Sequence, residues 1–290
     1  LSLNRRSAQG LAMNMQYTLG KSFGTSGGAN GANTAANNAR TEAEFEYEDG
    51  YNNFDVRHTF NVSLMYSLPF GEGRRFGSDN GFVNAVLGGW DIGGIANARS
   101  GVPINVLVTR PDILYRETAT GLYYTGPAIG RVAVINTPGG GASRNVRRPD
   151  LVPGVDPFIK DGGLLFLNPA AFAAPLPGTF GNMVRNSIHG PSFKQVDFFF
   201  AKHFRLGGRS DLEFRGEIFN LFDTVNFFNP GGTLNAAIPA TPGQANTLQP
   251  GQAYTAAAAG PTFGRLTSTV GRTVGLGTPR QLQFAMRFSF

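Results

Sequence analysis

A chain of 290 residues without a single cysteine excludes thiol chemistry, cysteine-ligated metals and a disulfide framework. Charged residues make up only 15%, under the ~25% of a soluble domain, and no apolar run reaches the ~18 residues of a membrane-spanning helix. The 25 phenylalanines argue against disorder, and the net charge of +6 comes from arginines scattered singly or in pairs, which gives no compact stripe for nucleic acid. What remains is an all-β chain in which apolar and polar residues are finely interleaved. No charged and apolar leader opens the chain at Leu1, so a mature or truncated product is expected.

In chain order, Leu1-Ser2-Leu3-Asn4 reads as the end of a strand already under way. From Leu11 to Gly20 the odd positions are Leu, Met, Met, Tyr and Leu against Ala, Asn, Gln, Thr and Gly. Phe60, Val62, Leu64, Tyr66 and Leu68 alternate with Asn61, Ser63, Met65 and Ser67. Trp90, Ile92, Gly94, Ala96 and Ala98 alternate less cleanly with Asp91, Gly93, Ile95, Asn97 and Arg99. Val196, Phe198, Phe200 and Phe204 oppose Gln195, Asp197, His203 and Arg205; then Leu212, Phe214 and Ile218 oppose Glu213, Arg215 and Glu217. The last segment sets Leu282, Phe284, Met286, Phe288 and Phe290 against Gln281, Gln283, Ala285, Arg287 and Ser289.

A soluble sandwich also alternates. Here, however, one face is large and apolar, the other is polar, and each segment runs about ten residues, the length of a tilted strand across a bilayer. The fold expected is an antiparallel transmembrane β-barrel segment of six complete strands and one truncated strand, too few to close alone. Connections alternate between short (7–10, 69–81, 207–210) and long (24–53, 100–192, 223–277). That is the pattern of periplasmic turns and extracellular loops in bacterial outer-membrane barrels. At the turn around Gly207 and Gly208, paired residue numbers should sum to an even value, with 416 favoured over 414, which would oppose the like charges of Asp197 and Glu217. The favoured register places Arg205 opposite Asp211, His203 opposite Glu213, and Phe200 over the bare backbone of Gly216.

Several stretches together resemble a known family. They are Arg57-His58-x-Phe60, Gly88-Gly89-Trp90 through Arg99-Ser100-Gly101-Val102-Pro103, and Asn168-Pro169-Ala170-Ala171-Phe172. There follow Gly178-Thr179-Phe180-Gly181-Asn182, Arg185-Asn186, Gly190-Pro191, Glu213-Phe214-Arg215, Phe219-Asn220-Leu221-Phe222-Asp223, Phe263 to Ser268 and Pro279 to Phe284. In this order they resemble the C-terminal barrel of a TonB-dependent outer-membrane receptor of the Oar-like branch, whose members carry a carboxypeptidase-regulatory-like domain. Val184 and His189 depart from the pattern, and 270–278 reads as an insertion. The resemblance implies a barrel of about 22 strands, in the bacterial outer membrane, with plug, TonB box and signal peptide encoded upstream of residues 1–290. Its implied partners are outer-membrane lipid, the barrel-assembly machinery, TonB through the upstream region, and an extracellular ligand.

Candidate sites are few. No catalytic residue, cofactor or metal site is expected: His58, His189 and His203 lack ligand spacing, and Ser187 has no triad or nucleophile elbow around it. The acidic run Glu42, Glu44, Glu46, Glu48 and Asp49 reads either as a cation or basic-ligand site at the extracellular mouth or as a projecting strand with one solvated face. Asp197, Glu213, Arg215 and Glu217 are lumen-facing candidates, which either touch a plug or a passing substrate or, as favoured, pair across the wall. Gly- and Ala-rich stretches 27–39 and 231–260 read as mobile loop. Phe284, Met286, Phe288 and Phe290 form an assembly signal on the last strand. Two functions stay open: energised uptake of a large scarce ligand (metal chelate, oligosaccharide or peptide), or a structural, porin-like or secretion-linked barrel.

Overall fold

The computed structural model describes residues 1–8, 10–25, 27, 45–71, 73–109, 115–118, 121–124, 146–175, 181–207, 210–235, 248, 251–271 and 277–290. Seven strands form one sheet: β1 (Ser2–Ala8), β2 (Leu11–Leu19), β3 (His58–Ser67), β4 (Trp90–Arg99), β5 (Phe193–Gly207), β6 (Ser210–Phe219) and β7 (Gln281–Ser289). Each strand pairs antiparallel with its neighbour in the chain, so the sheet is a simple meander from β1 to β7. The sheet is open, since β1 and β7 are its two edges and do not pair with each other.

The registers keep one face continuous across the wall. Met15 lies opposite Val62, Val62 opposite Ala96, and Ala96 opposite Val196. Further along, Ile92 faces Phe200, Phe200 faces Gly216, and Gly216 faces Phe284. On this apolar face the rings of Trp90, Phe200, Phe214 and Phe284 succeed one another across four strands at centroid spacings of 6.2, 6.4 and 6.0 Å. The other face runs through Asn14, Ser63, Asn97, Gln195, Glu217 and Gln283, the polar half of each alternation.

The β5–β6 hairpin adopts the expected register. Phe198 pairs with Ile218, Phe200 with Gly216, His203 with Glu213 and Arg205 with Asp211, with a shift only at the turn, where Gly207 meets Ser210. The Phe200 ring covers Gly216 so closely that a Cβ there would lie 2.4 Å from the ring tip. On the polar face Phe199 covers Gly93 in the same way.

The connections depart from expectation at both ends. At the short-turn end, the link between β3 and β4 runs over 68–89 and contains a helix, α1 (Gly81–Leu87). Asn80 starts it by accepting hydrogen bonds from the amides of Phe82 and Val83. At the other end, the long connections fold together around their own apolar core of Val106, Val108, Leu167, Phe172, Met183, Leu234, Tyr254 and Phe263. For 231–235, 248 and 251–260 this corrects the reading of 231–260 as mobile loop; the rest of that stretch lies outside the described residues. Leu234, Tyr254 and Ala259 are almost fully buried, and Tyr254 donates through its amide to Phe172 and through its hydroxyl to the Asn235 carbonyl. Alanines and glycines here serve close packing, as where α2 (Ala256–Ala259) buries Ala258 and Ala259. Stretch 27–39 lies outside the described residues apart from its first residue.

Two glycines separate the constraints on the wall. A Cβ at Gly94 would lie 2.5 Å from the Asp197 carbonyl oxygen, a backbone atom that cannot move without breaking the β4–β5 ladder. At Gly216 the obstacle is the Phe200 side chain, which can tilt. In the full-length protein, Gly94→Ala should cost about 1–3 kcal/mol of urea stability, and Gly216→Ala about 0.5 kcal/mol or less. Equal losses would show that the ring is as fixed as the backbone.

Candidate functional site: a clamped cap over a polar wall

The cap at the long-connection end is assembled by short pairings between distant segments. Pro103–Ile104 pairs with Ile188–His189, Asp150–Leu151 with Phe172–Ala173, and Leu107–Thr109 with both Val146–Arg147 and Thr233–Leu234. Phe23–Gly24 pairs with Gly50–Tyr51, which brings the first connection back on itself. Phe172 and Phe263 meet edge to face at 5.5 Å in the centre.

Two buried arginines hold the first connection against the second. Arg185, 2% exposed, donates to the carbonyls of Gly24, Thr25 and Gly50. Gly50 packs so tightly on it that a Cβ would lie 2.6 Å from the Arg185 Cβ. Its neighbour Asn186, in the left-handed region at φ 57°, donates to the Tyr51 carbonyl at 2.9 Å and to Asn53 Oδ1 at 2.7 Å. Arg148 makes the second clamp: it lies 3.9 Å over the Tyr47 ring, donates to the Tyr47 carbonyl, and pairs with Glu48 at 3.7 Å. Asp55 joins the same interface, accepting from the Ser22 amide and lying 3.2 Å from His189 Nε2.

From Phe45 to Asp49 the acidic run is therefore not a projecting strand. Phe45–Glu48 is a turn of 3₁₀-helix, Glu46 and Asp49 are exposed, and Glu48 is buried against Arg148. Alternating acids misled because an i, i+2 pattern suits a strand, whereas the Arg148 guanidinium recruits one of them inward. Glu42 and Glu44 lie outside the described residues. On the cap surface, the hydrogen bond from Lys160 and then that from the Phe158 amide hold the Asp156 carboxyl below its ordinary range.

The polar-face candidates separate into two places. Asp197 sits where the wall meets the cap, accepting from Gln195 Nε2 and from the Asn220 amide, both at 2.8 Å. Gln195 is itself buried and accepts from the Gly277 amide at 2.6 Å, while Asn220 donates to the carbonyls of Thr224 and Thr278. These bonds tie the third connection to the top of the wall. Lower down, Arg215 pairs with Glu217 at 2.7 Å along one strand and lies 4.4 Å over the Phe199 ring. Pairing across the wall is expected of this set, but Arg215 and Glu217 pair along β6. Glu213 stands in register between His203 on β5 and Arg287 on β7.

Pattern reading missed one lower cluster. His203 lies between two carboxylates, with Nε2 3.3 Å from Asp91 on β4 and Nδ1 3.4 Å from Asp211 on β6. The signal was available in the register, which sets His203 one row from Asp211. Its link to Asp91 needed the β4–β5 pairing as well. His58 heads β3 on the apolar side, bonded to the Tyr17 hydroxyl at 2.9 Å. On the last strand, Phe284, Met286 and Phe288 share the apolar face and, with Phe290, are exposed.

A seven-stranded meander with one apolar face, one polar face and long connections gathered at one end is the local architecture of a membrane barrel wall. Compared with known families, residues 1–283 match the model of the outer membrane beta barrel domain. The chain belongs to that family. Its location is accordingly the outer membrane. No curated protein and no solved structure matches the chain.

The clamp gives a direct expectation. Replacing Arg185 by Lys removes the planar fork that serves several carbonyls at once, and leaves buried acceptors unpaired at about 1–3 kcal/mol each. In the full-length protein, Arg185→Lys should speed protease nicking within 24–53 by roughly tenfold or more while the heat-modifiable barrel band stays. Unchanged nicking would show that the first connection is held elsewhere.

Proposed function

We propose that this chain is the C-terminal barrel portion of a TonB-dependent outer-membrane receptor of the Oar-like type, which takes up a large scarce ligand such as a metal chelate, oligosaccharide or peptide. The observation that carries the reading is the cap: the stretches that resemble the family (Asn168 to Phe172, Arg185-Asn186, Phe219 to Asp223, Phe263 to Ser268) are the segments that build and clamp it. A folded cap with its own core suits recognition of a bulky ligand from outside, whereas a passive pore needs only a constriction. In this reading the long connections are extracellular, and the polar face lines the lumen. The free edges of β1 and β7 find partners in further strands, because hydrocarbon cannot satisfy an open ladder. A barrel of about 22 strands gives the required width.

The energised reading needs a plug and a TonB box upstream of Leu1. In planar bilayers, the full-length protein should be electrically silent, because a plug fills the lumen, and should open on removal of the plug. A steady open conductance from the intact protein would favour the porin-like alternative. On the energised reading, a cell lacking TonB should lose the receptor-dependent growth advantage on the scarce nutrient.

The last strand carries a second expectation. An edge strand with one apolar face and a terminal aromatic is a template for strand addition, the form in which barrel-assembly machinery would read it. Deleting Phe290 should sharply lower the outer-membrane level of the full-length protein, whereas Phe204→Ala, a rim aromatic on the same face, should lower it only mildly. Equal losses would reduce Phe290 to one aromatic of the girdle.

A further inference from the structure

Lys202 breaks the wall's pattern. It lies opposite Trp90 and between Phe200 and Phe204 on the apolar outer face, yet it is only 3% exposed. What buries it is α1. The ammonium donates to the carbonyls of Ala85 (2.7 Å), Val86 (3.3 Å) and Gly88, and it sits over the rings of Trp90 and Phe204 at 5.3 and 5.1 Å. The Trp90 indole donates to the Val86 carbonyl as well, at 2.9 Å. Because Trp90 and Lys202 both project from the outer face, these bonds place α1 on the membrane side of the wall, at its short-turn rim.

The helix then turns its own apolar residues outward. Phe82, Val86 and Leu87 are exposed, Phe82 by 77%, and α1 has no buried residue. Strands β3 and β5 already flank β4, so further wall strands cannot cover this surface. Beside it lies a cavity of about 450 Å³ lined by Phe70, Arg74, Trp90, Lys202, Phe204 and Leu206. Arg74 and Arg75 are exposed on the same connection, and Arg75 stacks over Phe76 at 5.4 Å.

We infer that the connection 68–89 is an interfacial anchor seated in the phospholipid leaflet at the short-turn rim, with Phe82, Val86 and Leu87 in the acyl boundary and Arg74 and Arg75 at lipid phosphates. The inference rests on the outer face being the lipid face, with which this surface is continuous. An apolar helix face lying in the interface plane, flanked by cations and a tryptophan, is the arrangement by which peripheral helices hold to a leaflet. The connection also contains Glu72 and Asp79, so the two guanidiniums act on nearby phosphates and not through a net positive charge.

The test uses the full-length protein, with any upstream cysteine replaced, reconstituted in phosphatidylcholine vesicles with and without phosphatidylglycerol. Bimane is attached at Phe82→Cys and, separately, at Leu64→Cys on the wall. Val86→Cys serves if the first variant fails to give a heat-modifiable band. Expected are several-fold quenching of both labels by bromine-substituted acyl chains and shielding of both from aqueous iodide. Arg74→Ser with Arg75→Ser should weaken quenching at 82 in both lipid compositions, since both supply phosphates, and leave 64 unchanged; a loss confined to phosphatidylglycerol vesicles would overturn the phosphate contacts in favour of net charge. If iodide reaches 82 while brominated lipid quenches 64, the anchor is refuted and the helix faces water or a soluble protein partner. If iodide reaches both, the outer-face assignment falls with it.

Discussion

Everything in this structure depends on parity in the strand pairing. Hydrocarbon offers no partner to a backbone amide or carbonyl, so each wall strand must satisfy its ladder from its neighbours. A slip of one residue would exchange the two faces of every strand beyond it. Six consecutive registers set the apolar half of one strand against the apolar half of the next, from Leu3 opposite Met15 to Ile218 opposite Leu282. The weakest alternation, β4, survives because its small residues accept large neighbours. Gly94 lies between Leu64 and Phe198, and Gly93 lies beneath the Phe199 ring. A bulky β4 would force its neighbours apart and weaken both ladders at once.

The cap solves the opposite problem. Long connections carry many backbone polar groups, and a segment that leaves water must find each of them a partner. Here short bridges satisfy some, and arginines satisfy others by donating several bonds to carbonyls from one planar group. The apolar residues that make this worthwhile are spread thinly over two connections, among glycines and prolines, and none forms a periodic run. They become a core only when 104–108, 167–174, 183–188, 234, 248 and 254–263 come together.

That difference explains what could be read in advance. Wall strands, their faces and the β5–β6 register follow from local alternation, because a bilayer forces a period of two on each strand independently. The cap obeys no local rule. Leu234 and Tyr254 sit in stretches whose composition resembles a linker, and their burial depends on Phe172 and Phe263, far away in the chain. Glu48 misleads for the same reason, since its fate is decided by Arg148. Arg185-Asn186 was visible as a motif, but its role as a clamp required knowing that Gly24, Thr25 and Gly50 end beside it.

Lys202 shows where the two regimes meet. A cation on a lipid-facing position costs about 2–4 kcal/mol at the bilayer midplane and about 0–1 near the interface. Its position toward the end of β5 that meets α1 already lowers that cost. The carbonyls of Ala85, Val86 and Gly88 lower it further, because the C-terminal end of a helix presents unpaired acceptors and a partial negative charge. The same contact works in the other direction. A helix of seven residues is too short to be stable in isolation, and Lys202 and Trp90 supply donors to the carbonyls near its C-terminal end. The residue that looks like an error in the alternation of β5 is thus the reason a helix can stand at that rim.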